Sequence, residues 1–232
     1  VIQQENTDLA EITNLLELRL FAYDMLRRVF LSEPTKELVM QFQDGVINFF
    51  PFKEENYQLQ EGIDEVNHYF KTFDLEQNFD SLHWDYTRMF IGPTRLPAPI
   101  WESAYVNNEG LLFQEETLRV RRLYLENNLM SLQHHREADD HLGLELDFMY
   151  QLSKLSIDLV NETNTKQLEK MLFDQSSFLK NHLLNWTPMF SEKVIKHAET
   201  QFYKGMVKIL NGFLKIDKTC LEELLTRKNN NK

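Results

Sequence analysis

A single cysteine, Cys220, leaves this chain without an intramolecular disulfide and without a second thiolate for a zinc knuckle, which suits a reducing compartment. Cysteine chemistry is not its business. Glycine is scarce too, seven in 232 residues, and no Gly-x-Gly, Gly-Lys-Ser/Thr or Gly-x-Ser-x-Gly occurs, so regular phosphate-cradling loops and nucleophile elbows are excluded. No segment approaches the ~20 apolar residues that a membrane helix needs, and the N-terminus as given lacks a basic region followed by an apolar run. The expectation is a cytoplasmic protein that neither spans a bilayer nor carries its own export address. Positive charge is also short: 25 Lys and Arg against 36 Asp and Glu give a formal charge of −11, which repels nucleic-acid phosphates and attracts basic partners.

What the chain does have is a large apolar supply, 42% of its residues with 17 phenylalanines, recurring at helical rather than alternating spacing. An all-α, single-domain bundle of about nine helices is expected over 1–228, with 229–232 as a frayed tail. Leu9, Ile12, Leu16, Leu20, Tyr23 and Leu26 predict a first helix capped near Thr7 or Asp8. Its second apolar side, through Leu15, Leu18, Ala22, Met25 and Val29, predicts a central position. Pro34 suits the first turn of a second helix ending near Phe50; Leu59 to Phe70 and Phe79 to Phe90 predict the third and fourth. Later helices are expected over about Glu115 to Asn127, from near Glu137 to Leu159, about Thr165 to Leu184 and Pro188 to Leu214, then a short one from Asp217 to Leu225.

Of the six prolines, three fall between Pro93 and Pro99, just after the fourth helix, where fixed φ and missing donors forbid a helix. Pro93, Pro97 and Pro99 therefore stiffen a loop that opens at Gly92 and presents Trp101, an anchor equally suited to core and interface. A second cluster, Glu137, Asp140 and His141, sits at i, i+3 and i+4 and would share one face at a helix start. It reads either as capping with a satisfied buried histidine or as an acid/base or metal cluster with His134, His135 and Glu145 as further ligands. Capping is favoured, because neither paired Glu-x-x-His motifs nor His-Glu-x-x-His is present, and no metal is expected. A hydrolase centred on Asp140 and His141 is the rival. Arg119, Arg121 and Arg122 read as a solvated helix face.

Three motifs in order, Tyr86-Thr87-Arg88-Met89-Phe90-Ile91-Gly92-Pro93, then Leu96-Pro97-Ala98-Pro99-Ile100-Trp101-Glu102-Ser103, then Glu137-x-x-Asp140-His141 with Leu142-Gly143-Leu144-Glu145, resemble the TorD/DmsD family of redox-enzyme maturation chaperones. The resemblance implies an all-helical, non-enzymatic cytoplasmic chaperone. It would bind the twin-arginine signal peptide of a molybdenum-containing reductase, contact its catalytic subunit, delay export until cofactor insertion, and make transient contact with the export machinery. The leader-binding residues it implies are Tyr86, Met89, Phe90, Trp101, Glu137, Asp140 and His141. Guanine nucleotide and molybdenum cofactor enter only as ligands attributed to some relatives; no cofactor is expected from the residues themselves. Ala138, Ile100 and Met89 stand where relatives often carry proline, proline and leucine, which bears on which leader fits. The continuation Trp-Glu-Ser-Ala-Tyr leans toward the dimethyl sulfoxide or trimethylamine N-oxide reductase branch.

Overall fold

Helices account for nearly all of the architecture in the computed structural model, which describes residues 2–93, 95–106, 115–130 and 137–229. The order is α1 (Ile2–Phe30), α2 (Lys36–Gln43), α3 (Tyr57–Phe70), α4 (Leu75–Tyr86), α5 (Ser103–Val106), α6 (Glu115–Glu126), α7 (Leu142–Asn161), α8 (Thr165–Phe178), α9 (Leu184–His197) and α10 (Gln201–Asn229). A π turn, Leu179–Leu183, joins α8 to α9 without a break, and another, Thr87–Ile91, extends α4. Among the described residues, nine helical rods therefore make one all-α bundle, and no strand occurs.

Local signals explain three of the early starts. Thr35, Asn56 and Asp74 accept hydrogen bonds from the first amides of α2, α3 and α4. Most of the expected apolar stripe residues are buried: Ile12, Leu16, Tyr23 and Leu26 on α1, and Leu59, Ile63, Val66 and Phe70 on α3, whereas Leu9 is exposed and Leu15, Leu18 and Leu20 are half-buried. Helix α1 packs along α7, and α3 packs along α10. At the second contact a Cβ added to Gly62 would lie 2.6 Å from the Gly205 carbonyl oxygen, so two backbones meet where no side chain fits. Burial of the α1 stripes agrees with its expected central place.

Several boundaries differ from expectation. Helix α1 begins at Ile2, upstream of the predicted cap at Thr7 or Asp8. Pro34 precedes the Thr35 cap of α2, and that helix stops at Gln43, followed by Gly45 at φ 84° and a short 3₁₀ turn. Thr187-Pro188 does not start a helix. Pro188 lies inside α9, and the chain instead breaks at Ala198. The stop is tertiary: the buried carboxylate of Asp85, on α4, accepts from the amides of Glu199 and Thr200 and from the Thr200 hydroxyl at 2.8 to 3.1 Å. Nothing near residue 200 in the sequence announces a cap supplied from 115 positions away. The separate helix expected from Asp217 is part of α10. Of the expected tail, all but Asn229 lies outside the described residues.

Candidate functional site

Past the second π turn, Gly92 takes φ 107°, and the described residues from Gly92 to Ile100 are non-helical. The chain then pairs briefly with the segment ahead of α7. Leu142 donates its amide to the Ile100 carbonyl at 2.9 Å, Glu102 donates to that of Asp140 at 3.0 Å, and Trp101 and His141 form an isolated antiparallel bridge. Their rings meet edge to face with centroids 5.8 Å apart. The indole N–H of Trp101 donates to Glu137 at 2.8 Å. The proline loop and the second cluster thus come together, although they are over thirty positions apart in sequence.

Within that junction the seven candidate residues fall into two layers. Trp101 and Glu137 are half-buried at the surface. Tyr86, Met89, Phe90, Asp140 and His141 are buried. Tyr86 donates its hydroxyl to the Phe30 carbonyl and packs edge to face on Phe90, which in turn meets Phe190 and Tyr203. Burial, with the negative charges of Glu33 and Glu137 nearby, pushes the Tyr86 phenol well above its ordinary value. These aromatics reach the loop through Phe190, which also meets Tyr105, whose hydroxyl donates to the Pro99 carbonyl.

The second cluster differs in form from expectation. Helix α7 starts at Leu142, so Glu137 and Asp140 lie in the preceding turn and do not share a helical face with His141. His141 is itself the cap, its Nδ1 accepting from the Gly143 amide at 3.1 Å. Asp140 spends both oxygens internally, accepting from the Ser103 amide at 2.9 Å and the Thr117 hydroxyl at 2.7 Å. Asp139 binds Arg121 at 2.6 Å, and its carbonyl takes the Tyr124 hydroxyl at 2.9 Å. Thr117, Arg121 and Tyr124 are spaced along one side of α6, so Arg121 is a tether and not part of a solvated face. With these partners, Asp140 and His141 are not arranged as an acid/base pair. His134 and His135 lie outside the described residues. Cys220 is buried beside Asp217, and burial pushes its thiol up to about 12, which makes it inert.

Burial also holds the His141 pKa down at about 3. A histidine whose folded pKa lies below its unfolded value near 6.5 leaves the unfolded chain binding the extra proton between those limits, so stability is complete above about pH 6.5 and falls as pH falls toward 3. His141→Asn, which keeps a capping side chain, is therefore expected to remove about 2 kcal/mol of the stability difference between pH 7 and pH 5. Urea melts at the two pH values measure it; equal losses in both proteins would show that His141 does not titrate on unfolding.

Behind the junction lies a group that sequence reasoning largely missed. Glu102, Glu145 and His182 are buried and close together, with Trp186 donating its indole N–H to Glu145 at 3.0 Å. The sequence offers Glu145 only as a further ligand of the Glu137, Asp140 and His141 cluster, beside His134 and His135. The available signal was His182 and Trp186 four apart on the buried side of a helix, where a histidine needs a partner. A separate open groove of about 1100 Å³, with Phe42 and Phe70 among Asp44, Glu61, Asp64 and Glu65, contains none of the predicted residues.

Among the described residues no helix is long and apolar enough to cross a membrane. Comparison with known proteins gives a consistent result. Residues 56–192 match the family described as nitrate reductase delta subunit. The chain is 28% identical over 192 residues to the chaperone protein TorD of Vibrio parahaemolyticus, covering 82% of this chain and 87% of that one. It is 26% identical over 220 residues to the chaperone protein TorD of Vibrio cholerae, covering 93% and 97%. Against the protein of the same name from Aliivibrio fischeri, identity is 27% over 211 residues, covering 89% and 96%.

Proposed function

Because the chain belongs to the nitrate reductase delta subunit family, we propose that it is a chaperone, not an enzyme, that binds the twin-arginine leader of a molybdenum-containing reductase in the cytoplasm and delays export until the cofactor is inserted. The reductase is of dimethyl sulfoxide or trimethylamine N-oxide type. One observation carries the reading: a half-buried tryptophan is held by a carboxylate, Trp101 on Glu137, at the meeting of two separate segments. An indole edge beside a negative rim suits a peptide with an apolar stretch next to two arginines. The formal charge of −11 favours the same ligand through steering.

The two layers divide the work. Trp101 and Glu137 make contact with the peptide. Tyr86, Met89, Phe90, Asp140 and His141 hold them in position from below, and Pro93, Pro97 and Pro99 keep the loop that opens at Gly92 stiff so that little ordering is needed on binding. The catalytic subunit is the wider partner, and contact with the export machinery is transient.

Titration calorimetry with a synthetic twin-arginine leader at low salt is expected to give a Kd of about 1 μM or tighter. Trp101→Ala should weaken it by about 2 kcal/mol, roughly 30-fold, with little change in melting. Glu137→Gln should flatten its salt dependence. No measurable binding, or equal affinity after Trp101→Ala, would remove the site.

A further inference from the structure

Glu102, Glu145 and His182 each place a ligand atom within 4.8 Å of the others, all in the interior. They arrive on three different segments. Glu102 follows Trp101 just ahead of α5, Glu145 lies in the first turn of α7, and His182 sits in the π turn between α8 and α9. Turns of that kind are rare and occur often at functional positions, because the extra residue redirects side chains that an α-helix would aim elsewhere.

Charge at this place is unbalanced. Among the described residues no lysine or arginine pairs with Glu102 or Glu145; the partner of Glu102 is His182, whose Nδ1 lies 2.8 Å from Oε2. Trp186 occupies Oε2 of Glu145, while Oε1 of Glu145 is buried with no donor. A carboxylate oxygen of Glu145 lies within 4.8 Å of one of Glu102, and Asp140 adds its charge nearby. Two interior carboxylates so placed need either a shared proton or a cation. Desolvation, reinforced by Glu102 and Asp140, pushes the Glu145 carboxyl well above its ordinary range.

We propose that Glu102, Glu145 and His182 form a binding site for one divalent first-row transition ion, with the indole of Trp186 orienting Glu145. One imidazole nitrogen and two carboxylate oxygens are the donor set of Zn²⁺, Mn²⁺ or Fe²⁺, whereas Ca²⁺ and Mg²⁺ take oxygen almost alone. The unpartnered Oε1 becomes a ligand, and the ion supplies the positive charge that the two interior carboxylates lack. Such an ion would tie the segment bearing Trp101 to the start of α7 and to the α8 to α9 rod. This inference is independent of leader binding.

The test uses Zn²⁺ and Co²⁺ as probes, added both to the folded chain and during refolding from denaturant after chelator treatment. After desalting, elemental analysis should find about one equivalent of Zn²⁺ per chain, and the Co²⁺ form should absorb in the visible. Glu145→Gln keeps an acceptor for Trp186 and a donor toward Glu102, so the fold should survive while affinity falls at least about 10-fold. His182→Gln should behave alike. Circular dichroism checks that both variants are folded. Zn²⁺ should raise the melting temperature of the unsubstituted chain only. No retained metal by either loading route, or full retention by both folded variants, would overturn the site and leave the group as a proton-sharing pair.

Discussion

Asp217→Ala is expected to cost about 3 to 5 kcal/mol in urea unfolding, the largest loss for any single side chain considered, because it strands a charge in the core. Arg19 on α1 and Asp217 on α10 are both fully buried. Arg19 donates through Nε and, at 3.1 Å, through Nη2, and the Tyr23 hydroxyl adds a third bond to the same carboxylate at 2.6 Å. Removing the acid leaves the guanidinium and the phenol without an acceptor and without water. Replacing both partners by apolar residues, Arg19→Met with Asp217→Leu, should return most of the loss, since the pair's attraction is largely offset by its desolvation. A loss below about 1 kcal/mol for Asp217→Ala would mean that water reaches Arg19.

Asp140→Ala should cost about 2 to 4 kcal/mol, and the reason bears on function. Its oxygens satisfy the Ser103 amide and the Thr117 hydroxyl, both buried, so the substitution orphans two donors and loosens α5 and α6 from the turn ahead of α7. Any effect on leader affinity should follow from that loosening. Denaturant melts and leader titrations on the same samples separate the cases. If Asp140→Ala melts like the unsubstituted chain and still loses the leader, Asp140 is a contact residue and the two-layer description is wrong.

Much of the architecture was legible because apolar spacing is a local property. The stripes on α1 and α3 report which faces are buried, and Thr35, Asn56 and Asp74 cap as their residue types suggest. What could not be read was whatever depends on a partner far along the chain. Asp85 ends one helix and begins another from outside both, so the break at Ala198 had no local mark, while Thr187-Pro188 carried a start signal that packing overrode. The meeting of Trp101 with His141 was expected from the resemblance, not from periodicity, and the structure joins them backbone to backbone. Spacing alone suggested a shared helical face for Glu137, Asp140 and His141; the helix starts at Leu142, and the acids turn to α6 and the loop instead. The Glu102, Glu145 and His182 group escaped because its members are 43 and 37 positions apart and follow no spacing rule.

The chain's three tryptophans occupy three grades of exposure. Trp84 is 63% exposed, Trp101 is half-covered, and Trp186 is sealed beside a carboxyl group. Under illumination they are three separate lamps. An aqueous quencher such as iodide silences Trp84 first and leaves Trp186 alight, so a Trp84→Phe chain reports by its remaining quenchable emission whether anything has settled over the indole of Trp101. The molecule carries its own gauge of occupancy, and no dye is needed to read it.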